Sequence, residues 1–163
     1  MGYVVHQISS KFVLKRENQA AALAAVKQLH HKISKGLLCL PRTPYVDDLG
    51  ASSAKTVLAA PSIFEALAAW GWTAIDYAPE GIPTEEPGDI VELDCMCDKL
   101  GRDWDELFAA LAPFVENESH VSMTGEDGAI WRWFFKDRQC FRQEGHLAFD
   151  GPLGKPLHIV ELR

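Results

Sequence analysis

The chain has 163 residues, 47% of them apolar and 24% charged, and a formal net charge of −7 at neutral pH. That is the composition of one ordinary globular domain, and it excludes a disordered, collagen-like or coiled-coil chain. No uninterrupted apolar run approaches the ~18 residues of a membrane span; the most apolar window, Ala59–Trp72, is broken by Pro61, Ser62, Glu65 and Gly71.

Tyr3–Leu14 is β-branched and aromatic, with Phe12 and Leu14 alternating, and predicts a long first strand. Glu17-Asn18 opens an alanine-rich helix over roughly residues 17–33. Leu23, Val26, Leu29 and Ile33 recur at helical spacing as its buried stripe, with Lys27 and Lys32 facing water. His30-His31 close it as solvated side chains suited to the negative helix end. Adjacent positions on a helix point about 100° apart, so this pair is a poor metal site. Residues 35–60 read as an irregular insert of Pro, Asp and Gly-Ala-Ser-Ser turn chemistry, with a short strand near Leu37–Leu40. Ser62 and Glu65 then form a capping box for a helix that stops at Gly71.

Trp72–Tyr77 is a strand, Ala78–Pro87 a turn-rich loop and Asp89–Cys97 another strand. Simple alternation puts Val91, Leu93, Cys95 and Cys97 on its core side, and Ile90, Glu92, Asp94 and Met96 opposite. Asp103, with Glu106 three residues on, caps a third helix whose inner face is Trp104, Leu107, Phe108 and Leu111. His120–Thr124, the Gly125-Glu-Asp-Gly128 turn and Ala129–Phe135 make the clearest hairpin, its glycines supplying positive φ. Trp131, Trp133 and Phe135 share one face as a helix-covered core; an exposed indole there would instead mark an aromatic binding platform. Arg132 and Phe134 point the other way, with Arg132 expected near acidic residues of adjoining strands. A turn at Lys136-Asp-Arg leads into Gln139–Gln143, and a tail over residues 146–163 ends in a short strand, His158–Leu162. These elements predict a single α+β domain over residues 1–163, with about three helices on one face of a largely antiparallel sheet.

Charge is unevenly distributed. Residues 1–60 hold eight Lys/Arg and three Asp/Glu, residues 61–128 hold two and sixteen, and residues 129–163 hold six and four. The acidic middle block is either a solvated face or a surface that steers a basic partner. Asp76, Glu80, Glu85, Glu86, Glu92, Asp94, Asp98, Asp103 and Glu116 are its candidate contact residues, with Arg132 beside them. Direct nucleic-acid binding is disfavoured, because the N-terminal cations (Lys11, Lys15, Arg16, Lys27, Lys32, Lys35) are interrupted and unmatched by exposed aromatics.

Chemistry-bearing motifs are sparse. Cys95-Met-Cys97 has one intervening residue where zinc thiols need two to four, so even with His120 or Cys140 no metal is expected. No phosphate-cradling glycine loop, nucleophile elbow or HExxH spacing occurs, and no cofactor is implied. Gly125-Glu-Asp-Gly128 lacks the donors of a calcium loop. A cysteine–histidine pair from Cys95, Cys97 or Cys140 with His120 or His146 is the open catalytic alternative. Met1-Gly-Tyr-Val-Val-His has neither a basic leader nor an apolar signal core, which with few cysteines predicts a cytoplasmic protein.

The stretch Asp103–Glu144, above all Ala112-Pro-Phe-Val-Glu and Gly125-Glu-Asp-Gly-Ala-Ile-Trp-Arg-Trp-Phe-Phe, resembles a motif of small bacterial and prophage-associated proteins. Phe12-Val-Leu-Lys-Arg-Glu-Asn, Gly71-Trp and Gly88-Asp-Ile fit the same pattern. The resemblance implies an accessory protein of a phage or mobile element and carries no catalytic residues. With the acidic block, it leads to the expectation of a monomeric or homodimeric inhibitor, for example anti-CRISPR-like. Such a protein occupies a basic, nucleic-acid-handling surface of a protein partner. A small hydrolase or thiol enzyme near Cys95, Cys97 and His120, or an oligomerising structural module, are the alternatives.

Overall fold

Antiparallel alternation and two tight turns organise the chain in the computed structural model, which describes residues 3–34, 56–77, 87–96 and 104–146. The elements are β1 (Val5–Lys11), α1 (Arg16–Ser34), α2 (Ile63–Ala69), β2 (Trp72–Tyr77), β3 (Asp89–Cys95) and α3 (Trp104–Leu111). A 3-10 turn (Ala112–Phe114), β4 (His120–Gly125), β5 (Ile130–Lys136) and β6 (Gln139–Gly145) complete them. β1, β4, β5 and β6 form a four-stranded sheet in that spatial order, and β2 with β3 forms a two-stranded ribbon; every pairing is antiparallel. The fold is therefore α+β with a largely antiparallel sheet.

Two devices sew the ribbon to β1. Beyond Lys11 the chain runs beside β3, where the Phe12 and Leu14 N–H groups donate to the Val91 and Ile90 carbonyls at 3.0 and 2.9 Å. Along β1 itself, side chains stand in for a ladder. The Gln7 amide donates to the Leu93 carbonyl and its oxygen accepts from the Cys95 N–H, both at 2.8 Å, while Ser10 Oγ accepts from the Leu93 N–H at 3.1 Å. Backbone groups at the ribbon's inner edge are thereby satisfied instead of being buried unpaired.

The core lies on one side of these strands. Trp131, Trp133 and Phe135 are at most 2% exposed, which settles them as core and removes the exposed-indole platform. Phe108 of α3 meets Trp133 at 4.7 Å and Trp72 at 5.3 Å between ring centroids, and Phe12 meets Phe135 edge-on at 5.4 Å. Trp133 Nε1 donates to Asp105 at 2.6 Å, fixing α3 over the sheet while giving the buried indole its partner.

Several local expectations change. β1 ends at Lys11, and Leu14 makes only isolated bridges to Ile90 and Val115. On β3 the buried residues are Ile90 and Leu93, not the set Val91, Leu93 and Cys95. The register slips between Ile75 and Asp76 opposite that stretch, and such a bulge resets alternation. The α1 stripe is Ala22, Val26, Leu29 and His30, with Leu23 and Ile33 only half-buried, because the helix packs on both α2 and α3. His30 is thus not solvated; its ring stands edge-on to Trp70 at 6.1 Å. Ser62 donates to the Glu65 side chain and makes no side-chain bond to the helix backbone. In the 125–128 turn only Gly128 has positive φ (81°); at Gly125 the Tyr3 phenol occupies the space a Cβ would take, so a side chain there must displace that ring. The expected strands Leu37–Leu40 and His158–Leu162, the Asp103 cap and Cys97 lie outside the described residues.

Candidate functional site

The opposite face of the four-stranded sheet carries the candidate site. Strand register sets three transverse rows across β1, β4, β5 and β6. They are Lys11, His120, Phe134 and Phe141; then Ser9, Ser122, Arg132 and Gln143; then His6, Thr124, Ile130 and Gly145. Lys136, opposite Gln139, extends the first end. Two local features create this register. A slip in β1 between Gln7 and Ser9 accommodates Ile8, so that His6, Ser9 and Lys11 all point outward. The Asp137-Arg138 turn, with both φ positive (52° and 63°) as a type I′ turn demands, brings Phe141 opposite Phe134.

Among the described residues no helix covers this face. Its members are half-buried or exposed, and Phe141 is 48% exposed. Arg132 is held in place: its Nε donates to Gln143 Oε1 at 2.8 Å, and its guanidinium carbon lies 4.9 Å from the centroid of the Phe134 ring. Beside it is a shallow depression of about 240 Å³, lined by Ser122, Ile130, Trp131, Arg132, Gln143, Glu144 and Gly145; the Glu144 carboxylate is paired with Arg142 Nε at 3.2 Å.

The charge of this face is one-sided. The three rows and Lys136 contain three permanent cations, two histidines and no carboxylate, in a protein of net charge −7. Several carboxylates are engaged elsewhere. Asp89 accepts from the Arg16 N–H at 2.8 Å and Lys15 Nζ at 3.0 Å, anchoring the start of α1 to β3. The backbone bond first, then the lysine, hold its carboxyl below the ordinary range. Asp127 accepts the Tyr3 hydroxyl, which lowers the carboxyl and pushes the phenol up to about 12. Asp105 takes Trp133 and Arg142.

The acidic candidates are only partly brought together. Glu92 and Asp94 pair opposite Ile75 and Thr73 on the outward side of the ribbon, and Asp76, exposed on β2, accepts the Gly88 N–H at 3.0 Å. Glu116 is exposed after the 3-10 turn, where its N–H donates to the Val13 carbonyl. Glu80, Glu85, Glu86, Asp98 and Asp103 lie outside the described residues. Arg132 sits with Ser122, Phe134 and Gln143, and Glu144 of the adjoining β6 lines the same depression.

The thiol reading loses its geometry at the described positions. Cys95 pairs with Trp72 and lies beside Gln7, whereas His120 pairs with Lys11, four residues and about 13 Å further along β1. Cys140 packs against the core, and burial, reinforced by Asp105, pushes its thiol up to about 12, which withholds the thiolate a nucleophile needs. Among the described residues no three His, Cys, Asp or Glu side chains cluster to hold a metal, and no helix is long and apolar enough to cross a membrane.

Residues the sequence reading missed are Lys11, Phe134, Lys136 and Phe141 as members of one surface. The signal was present in the two-residue turn after Lys136, which dictates the Phe134–Phe141 pairing. Comparison with protein-family models, curated proteins and solved structures returns no match.

Proposed function

We propose that this chain is a binding protein, and that its uncovered sheet face docks an anionic partner. The observation that supports the reading is the segregation of Lys11, Arg132 and Lys136 onto an open surface whose paired rows hold no carboxylate, the Glu144 that lines its depression being paired with Arg142, in an otherwise acidic molecule. A local field of one sign attracts an oppositely charged partner even when the net charge opposes it. None of the three cations forms a salt bridge among the described residues, so none must break one to bind. Heparin serves as a generic polyanion for the test. The protein is expected to be retained on it at low salt, and the triple variant Lys11→Ala, Arg132→Ala, Lys136→Ala to elute earlier. Unhindered passage of the unaltered protein at 50 mM salt, on the order of a 14 Å screening length, overturns the reading.

A second reading rests on Glu92 and Asp94 standing side by side on the outward face of the ribbon with exposed Ile75 and Met96. There the chain is a phage or mobile-element inhibitor in the host cytoplasm that fills a phosphate-binding groove of a basic protein, anti-CRISPR-like in effect. Glu92→Lys with Asp94→Lys is expected to abolish that inhibition and leave heparin retention intact or raised. Unchanged inhibition by the double variant removes this reading.

A further inference from the structure

We infer that the anionic partner of the open sheet face is single-stranded nucleic acid, an assignment that rests on the proposed anionic docking. The additional observation is aromatic. Phe134 and Phe141 are directly paired across β5 and β6 at the end of the face where Lys11 and Lys136 also lie. Phe141 presents its ring to solvent, and the guanidinium of Arg132 covers Phe134. That places two flat, stackable surfaces on neighbouring strands. One is a phenyl ring and the other a guanidinium plane, both of which nucleobases stack on.

Paired residues on adjacent strands stand roughly 5 Å apart, so successive unstacked bases can reach both surfaces while phosphates lie toward the flanking lysines. Ser122 and Gln143 add polar groups around the depression for base edges or hydroxyls. A duplex hides its base faces, so the single strand is the form that can stack on these surfaces. Base stacking plus phosphate neutralisation is the chemistry that uses every part of the surface. The earlier objection to nucleic acid, that cations and exposed aromatics do not coincide, held only for the linear sequence.

Fluorescence anisotropy with labelled 15-mers of deoxyuridine and of uridine tests the assignment, with a 15-base-pair duplex and heparin as controls. The single strands are expected to bind more tightly than the duplex. Phe141→Ala is expected to weaken them roughly five- to hundredfold, the range of one lost base stack, without changing heparin retention. Arg132→Lys, which keeps the charge and loses the plane, is expected to do likewise. Preference between the two strands reports whether the sugar hydroxyl is read. If heparin is retained but the 15-mers do not bind, or bind Phe141→Ala and Arg132→Lys as well as the unaltered protein, the nucleic-acid assignment falls and the anionic docking stands. If neither ligand binds, both fall.

Discussion

Replacing Phe108 and Phe141 one at a time by alanine measures the asymmetry of the sheet on which the functional reading depends. Phe108 is fully buried, with Trp133, Trp72, Phe135 and Phe12 at centroid distances of 4.7, 5.3, 5.9 and 6.3 Å. Removing a ring so enclosed loses transfer energy and leaves a cavity, together about 3–5 kcal/mol. Phe141 keeps 48% of its surface in water. Since full burial of such a side chain is worth about 1.5–3 kcal/mol, its truncation costs about 1 kcal/mol. With a urea dependence of about 2 kcal/mol per M, the midpoints fall by about 2 M for Phe108→Ala and about 0.5 M for Phe141→Ala. Tryptophan fluorescence follows both transitions, because Trp72 and Trp133 pack on Phe108 and Trp104 packs on both of them. A loss below 1 M at Phe108, taken as an order-of-magnitude threshold, would refute the aromatic core as the main source of stability. An equal loss at the two positions would refute an open outer face, since only a covered Phe141 costs so much.

Three further outcomes follow from backbone and burial. Arg138→Gly is expected to stabilise by about 0.5–1 kcal/mol in chemical denaturation, because a left-handed φ of 63° costs an L-residue more than glycine's extra chain entropy; destabilisation there would contradict the strain. Gly125→Ala is expected to cost at least about 1 kcal/mol through collision with Tyr3, and Tyr3→Ala in the same chain to return part of it; additive losses would deny the contact. Burial lowers the His30 pKa, and neither ring nitrogen has a hydrogen-bond partner among the described residues, so the unfolded chain binds a proton that the folded one resists. Stability should therefore hold above pH ~6.5 and decline as pH falls toward the depressed folded value, by at most about 1.4 kcal/mol per unit. His30→Leu should flatten that limb of the curve, and an unchanged slope would place the acid sensitivity elsewhere.

The fold was legible where one local signal dominated its segment. The Asp-Gly hairpin, the Trp104, Leu107, Phe108 and Leu111 stripe and the inward run of Trp131, Trp133 and Phe135 all follow from period and turn chemistry, and tertiary packing agrees with them. Legibility failed where a distant residue decided the outcome. Asp89 anchors the start of α1 from another strand, and Gln7 replaces a ladder that β1 and β3 do not form. Bulges account for most of the rest. One extra residue resets inside and outside, so strict alternation assigned Ile90 to water although it is fully buried.

The same physics explains why the candidate face was invisible to a count of charges along the chain. Lys11 belongs to a segment whose other cations disperse: Lys15 engages Asp89, while Lys27 and Lys32 ride on α1. Arg132 and Lys136 come from a different, nearly neutral segment. What unites them is register, and register here depends on one extra residue at Ile8 and two left-handed residues at Asp137 and Arg138. Without the β1 slip, His6 and Lys11 would point to opposite sides. Without the two-residue turn, Phe141 would not lie opposite Phe134. The turn's two left-handed residues depart from the cheapest local conformation, and the rows that the slip and the turn align hold no carboxylate. The core does not need either device, since the core residues of β4 and β5 pair and bury without them, so the slip and the turn act on the outer face alone: they set which cations and rings stand in one row.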